Sequence, residues 1–143
     1  MLKLMFTLLI LASAGLAQSS SDGSFSVHHS KHANFSLSPA QMREAESLYQ
    51  NACAAVQHEF HGGNGELHPH FTVILGKEAN QVRTSPMKSD TDEIWMTKWD
   101  PAVFAEGVVV LAFDKLLTDD MVTQLSKRAI LYSNATLDVA GFK

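Results

Sequence analysis

The stretch that most constrains the fold is residues 94–117, IWMTKWDPAVFAEGVVVLAFDKLL. It reads as a strand, a sharp joint at Asp100-Pro101 and a helix. An Asp before a Pro accepts hydrogen bonds from the free N–H groups of a first helical turn, and Pro suits the first helical position, where its missing N–H costs nothing. The helix is therefore expected to start at Pro101. From Ala102 to Phe113 its only charge is Glu106, and in a soluble chain a helix that is apolar around most of its circumference is enclosed by other elements. This places it at the centre of the core. Gly107 inside it suggests that a neighbouring helix or the sheet comes close, because a Gly in a helix otherwise costs about 1 kcal/mol relative to Ala.

The other elements follow from punctuation and period. Ser38-Pro39-Ala40-Gln41 opens a helix as a capping box, with apolar residues then at Ala45, Leu48, Tyr49, Ala52, Cys53, Val56 and Phe60 along one stripe. Gly62-Gly63 closes it. Residues 70–75, HFTVIL, are β-branched and aromatic and stop at Gly76, which reads as a strand. A weaker strand is expected at 80–84 and another at 93–98, with the polar loop 85–92 between them. Thr118-Asp119-Asp120 caps a last helix whose apolar stripe is Met121, Val122, Leu125, Ala129 and Tyr132, with fraying near Asn134 and a tail at 136–143 that is extended or irregular. The expected fold is α+β: an N-terminal helix, a small, mainly antiparallel sheet of about three strands, and two C-terminal helices, the first of them buried.

Residues 1–17 carry Lys3, an apolar run from Leu4 to Leu11 and then small residues, the pattern of a secretory signal peptide cleaved after Ala17, with Ala14 as the alternative. That run is too short to span a bilayer, and no later stretch reaches about 18 to 20 apolar residues, so no integral membrane segment is expected. Residues 18–36 are Ser-rich without a usable period and read as a flexible lead-in, leaving 37–143 as a single globular domain. The product is expected to be secreted or periplasmic. Without Lys3, ten basic residues face fifteen acidic ones, which argues against nucleic acid and anionic membrane surfaces, since both require clustered positive charge. The single Cys, Cys53, rules out an intramolecular disulfide, and its Ala and Val neighbours suit a buried, inert thiol.

Chemistry is thinly represented. His58 and His61 are three apart on a helix and share a face, and His68 and His70 are two apart and share a side of a strand, so these four imidazoles are the candidate ligands for a divalent metal such as zinc. Their spacing is not that of H-E-x-x-H, and a histidine at a helix C-terminus also suits the dipole without any metal. His28, His29 and His32 form a second His-rich segment, whose bland reading is a solvated tail. No G-x-S-x-G occurs, no Ser stands in an activating context, and Gly62-Gly63-Asn64-Gly65 follows a helix instead of preceding one, so it does not cradle phosphate. Trp95 and Trp99 read as packing residues; exposure of either would favour a sugar platform. Asn34 and Asn134 stand in glycosylation sequons, which act only in a host with that machinery.

The order helix, small sheet, buried helix, second helix resembles the minimal core of the zincin metallopeptidases, whose central helix carries H-E-x-x-H. Here that helix reads EGVVVLAFD from Glu106 to Asp114 with no His, so the resemblance implies a scaffold and not a catalytic metal. The segment 94–125, with KWDPAVFAEGVVVLAF and then a capped helix, is similar to small exported proteins of soil bacteria to which no function is assigned. Three functional readings follow: an exported, non-catalytic domain binding a protein or cell-envelope partner; a His-based metal-binding protein; and a hydrolase on a zincin-like scaffold.

Overall fold

The computed structural model describes residues 18–31, 37–59, 68–84, 91–112 and 118–139. Among them the chain forms β1 (Gln18–Ser19), β2 (Phe25–His29), α1 (Pro39–Glu59), β3 (Phe71–Leu75), β4 (Gln81–Arg83), β5 (Asp92–Met96), α2 (Pro101–Ala112) and α3 (Asp119–Val139). The signal peptide expected at 1–17 lies outside the described residues.

All three helix starts follow their sequence signals. Ser38 and Gln41 exchange hydrogen bonds, Gln41 N–H to Ser38 Oγ at 3.1 Å and Ser38 N–H to Gln41 Oε1 at 2.9 Å. Asp100 Oδ1 accepts from the N–H of Ala102 at 3.0 Å and of Val103 at 3.4 Å, and Thr118 Oγ1 accepts from Met121 N–H at 3.2 Å. Each side-chain oxygen satisfies donors that the first helical turn leaves without partners.

The sheet corrects the expected architecture. It has five strands in the order β1-β2-β3-β5-β4, and it is mixed: β2, β3 and β5 are parallel, with β1 and β4 antiparallel at the two edges. A parallel pair needs a long crossover, and α1 supplies it between β2 and β3. Residues 18–31, read from sequence as part of a flexible lead-in, therefore contain two strands, and the folded unit extends to Gln18. Val27 and Phe25 are buried against the core. Phe25 stacks on Phe71 with ring centroids 5.5 Å apart and an angle of 6°, and meets Phe104 edge-on at 5.3 Å and Tyr49 at 5.6 Å. It thus joins β3, α1 and α2 at one point.

Alternation along the strands divides the molecule into two layers. Phe25, Val27, Phe71, Val73, Leu75, Ile94 and Met96 face one way and share a buried cluster with Leu48, Tyr49, Val56, Phe104, Val108 and Leu125 of the helices. Ser26, His28, Thr72 and Trp95 face the other way and are half-buried. Ile74 points with this second set and stands outside the core cluster.

The α2 helix is the apolar centre expected from sequence, with Phe104, Ala105, Gly107, Val108, Val109 and Ala112 buried. One stripe, Ala102, Glu106 and Val110, is open to solvent. The close neighbour implied by Gly107 is the sheet: a Cβ there would stand 2.6 Å from Ile94 Cδ1 of β5. The α3 helix continues to Val139, past the expected fraying point and through half of the tail expected to be extended or irregular. Leu125 and Ala129 of its predicted stripe are buried, but Tyr132 is 57% exposed; the predicted stripe residue Phe60 of α1 lies outside the described residues.

Candidate functional site

The hairpin that opens the sheet is made by five residues, Ser20 to Ser24. Gly23 N–H donates to Ser20 C=O at 3.0 Å, and Gly23 takes a φ of 77°, the left-handed conformation that Gly enters without steric cost. Asp22 Oδ1 accepts from Ser24 N–H at 3.0 Å and from Ser20 Oγ at 2.9 Å. The Ser24 backbone N–H, followed by the Ser24 and Ser20 hydroxyls, holds the Asp22 carboxyl below its ordinary range. The turn consumes this carboxylate, and both Ser20 and Ser24 are buried.

Beside this turn, where β2 and β3 begin, lies a groove of about 300 Å³. Its polar lining comes from Ser19, Ser24, Ser26, His70, Thr72 and Thr91, with Gly23 at the rim and Phe25 and Phe71 below. The register explains the gathering: Ser19 is opposite Ser26, Ser26 is opposite Thr72, and their hydroxyls are 3.4 Å apart. Ser19, Ser26 and Thr72 stand on the face of the sheet away from the helices. At Gly23 an added Cβ would meet nothing within 4 Å.

The row continues through Glu93, opposite Thr72, to Arg83, opposite Glu93. Here the charges gather around Trp95. Its Nε1–H donates to Glu93 Oε1 at 3.0 Å, while Lys77 Nζ and Arg83 Cζ lie 4.1 and 4.5 Å from its ring centroid. Trp99 packs on Phe104 at 5.4 Å and donates to Glu44 at 3.2 Å. Both indoles are half-buried and engaged, so neither is a free platform for a sugar.

The four histidines singled out as metal candidates are dispersed in role. His58 is exposed in the last turn of α1, His68 stacks against Tyr49 with centroids 6.4 Å apart, and His70 lines the groove just ahead of β3 instead of within it. His61 lies outside the described residues. Among the described residues, no group of three or more His, Cys, Asp or Glu side chains is arranged to hold a metal. In the other His-rich segment, His28 sits on β2 opposite Ile74, and His29 Nδ1 accepts from Lys31 N–H at 3.1 Å with its ring against Gly76. His32 is outside the described residues.

Cys53 behaves as the sequence suggests a buried thiol should. It is 4% exposed, and burial pushes its pKa up to about 12, so it carries no thiolate at neutral pH. Burial likewise pushes Tyr49 up to about 12, and its hydroxyl donates to Pro69 C=O at 3.0 Å.

The groove was missed in the sequence because it depends on β1 and β2. A signal was there: Asp22-Gly23 ahead of the alternating Phe25, Ser26, Val27 is a hairpin pattern, which the surrounding serines obscure. No family model, curated protein or solved structure matches the chain.

Proposed function

We propose that this chain is an exported, non-catalytic domain that binds a cell-envelope partner through the face of its sheet that the helices leave uncovered. The observation that carries this reading is the groove, a concave site lined by hydroxyls and one imidazole, with no pair of carboxylates among the described residues that line it. Concave sites with convergent polar groups are where small ligands and partner segments are held. Export rests on the signal sequence of residues 1–17, and cleavage after Ala17 releases a chain starting at Gln18, the first residue of β1. No helix among the described residues is long and apolar enough to cross a membrane.

The test is co-sedimentation of the mature protein with isolated envelope of the producing organism. Retention that is abolished by Thr72→Tyr and Ser26→Tyr, and untouched by Leu131→Arg on exposed α3, supports the reading; retention indifferent to both groove substitutions, or none at all, overturns it. The alternative, a His-based metal protein, predicts one tightly bound zinc or copper per mature chain, lost when His58 and His61 are both changed to Ala. A metal present at a hundred times its dissociation constant adds about 2.7 kcal/mol of stability, so a chelator would visibly lower the melting temperature. A hydrolase on a zincin-like scaffold needs ligands that α2 does not supply, since Pro101–Ala112 contains no His.

A further inference from the structure

We infer that the ligand held in the groove is a neutral saccharide, one or two sugar rings of an uncharged glycan; this rests on the binding role proposed above and names its ligand class. Four features of the groove agree on that chemistry. The polar groups it presents are Ser19, Ser26, Thr72 and Thr91 with His70, the Ser24 hydroxyl being engaged with Asp22. A hydroxyl donates one hydrogen bond and accepts two, so a hydroxyl-lined surface matches another polyhydroxylated surface in either sense, where a cation or an anion would need charge of one sign.

Charge is the second feature. Among the described residues, no Lys, Arg, Asp or Glu lines the groove. The nearest carboxylate in the hairpin, Asp22, accepts from Ser20 and Ser24, and the next charges along the row, Glu93 and Arg83, are gathered at Trp95. Burying a phosphate or carboxylate in such a site would leave its charge uncompensated. The excess of acidic over basic residues in the chain also repels anions at longer range.

Size is the third. About 300 Å³ is at the small end of ligand sites, which suits a terminal or internal unit of a glycan and not a folded partner. The fourth is construction. Ser26 and Thr72 project from paired strands in the middle of the sheet, and Ser24 is tied to β3 by its C=O, which accepts from Phe71 N–H at 3.2 Å. The hydroxyls are therefore held on rigid elements before a ligand arrives, which reduces the entropy lost on binding.

Aromatic stacking does not contribute: Phe25 and Phe71 turn their rings to the helical side, stacked on one another. A site that relies on hydrogen bonds alone is weak, and half-saturation by a free disaccharide is expected at roughly millimolar concentration. Tight retention on an envelope then requires many glycan copies on one surface.

The experiment is an amide chemical-shift titration of the mature protein with cellobiose and with N,N′-diacetylchitobiose, and separately with inorganic phosphate, each to about 50 mM. Saturable shifts confined to residues 23–26, 70–72 and 91 with at least one disaccharide, absent with phosphate and weakened about tenfold or more in Thr72→Tyr, are the expected result. Thr72 is half-exposed on a strand, where Tyr is well tolerated; Ser26→Tyr gives a second blocked groove, and the unchanged amide spectrum elsewhere verifies the fold. No localised shift with either disaccharide, the same shifts with phosphate, or shifts that survive both substitutions overturns the inference. Groove-dependent envelope retention without any disaccharide shift would overturn the saccharide and leave the binding role standing; loss of both would remove the role itself.

Discussion

Gln18 shows how much a single side chain does at the start of the folded unit. Its carboxamide donates to Leu37 C=O at 3.0 Å and accepts from Leu37 N–H at 2.6 Å, closing the segment that carries the hairpin and β2 onto the start of α1. Gln18→Ala removes both bonds and exposes a backbone pair that is only partly reached by water, a loss of about 1–3 kcal/mol expected in urea denaturation; an unchanged midpoint would show that the clamp is not formed. Cys53 and Tyr49 make a second prediction at this scale. In the unfolded chain they ionise near 9.0 and 10.0, but in the folded chain only near 12. Above about pH 9 the unfolded state therefore releases protons that the folded state keeps, and stability falls as pH rises, the cost being absent below the unfolded pKa values. Cys53→Ala should flatten the first part of that decline in urea midpoints measured between about pH 8 and 11, and an unaltered slope would contradict the burial of the thiol. The inertness of Cys53 was legible in its neighbours. The bonds of Gln18 were not, because nothing local ties a residue at 18 to one at 37.

Among the elements, the helices were the legible part and the sheet was not. A capping box at Ser38, Asp-Pro at Asp100 and Thr-Asp-Asp at Thr118 are local chemistry, read directly from neighbours in sequence. Parallel pairing is non-local: that β3 lies between β2 and β5 cannot be seen in any one of these five-residue strands. The consequence is concrete. A chain beginning at Asn34, which discards His28, His29 and His32, also discards β1, β2 and the burial of Phe25 and Val27; it should show no cooperative melt, and a native-like melt would mean that the hairpin is dispensable. Metal binding is therefore tested on the chain from Gln18 onward with His substitutions. Phe25→Ala alone should cost about 3–5 kcal/mol, as expected for truncating an aromatic in a well-packed core. At α2, Gly107→Leu drives a side chain into Ile94, and overpacking of this kind costs about 1–3 kcal/mol or more. Ile94→Ala should recover part of that loss in the double variant, a coupling measurable by a mutant cycle; strictly additive effects would remove the contact.

The described residues form a two-layer arrangement in which one face of the sheet is spent on the core and no described helix covers the other. The division was partly visible in advance: Ile94 and Met96 against Trp95, and Phe71, Val73 and Leu75 against Thr72, alternate in sequence. What the sequence could not reveal is that Ser19, Ser26, Thr72 and Thr91 meet, since they come from separate strands and loops and no spacing rule links them. The metal candidates illustrate the converse, because His58, His68 and His70 are close in sequence yet occupy a helix end, an aromatic contact and a groove wall. The groove, and the binding role proposed for it, depend on the hairpin of β1 and β2 being a built part of the sheet, and native-state hydrogen exchange of the chain from Gln18 onward tests this most directly. Because β2 lies between β1 and β3, its amides at residues 25–28 should exchange as slowly as those of β3 at 71–75, opening only with global unfolding. Exchange across 25–28 at the rate of a free peptide, with 71–75 still protected, would contradict a built hairpin.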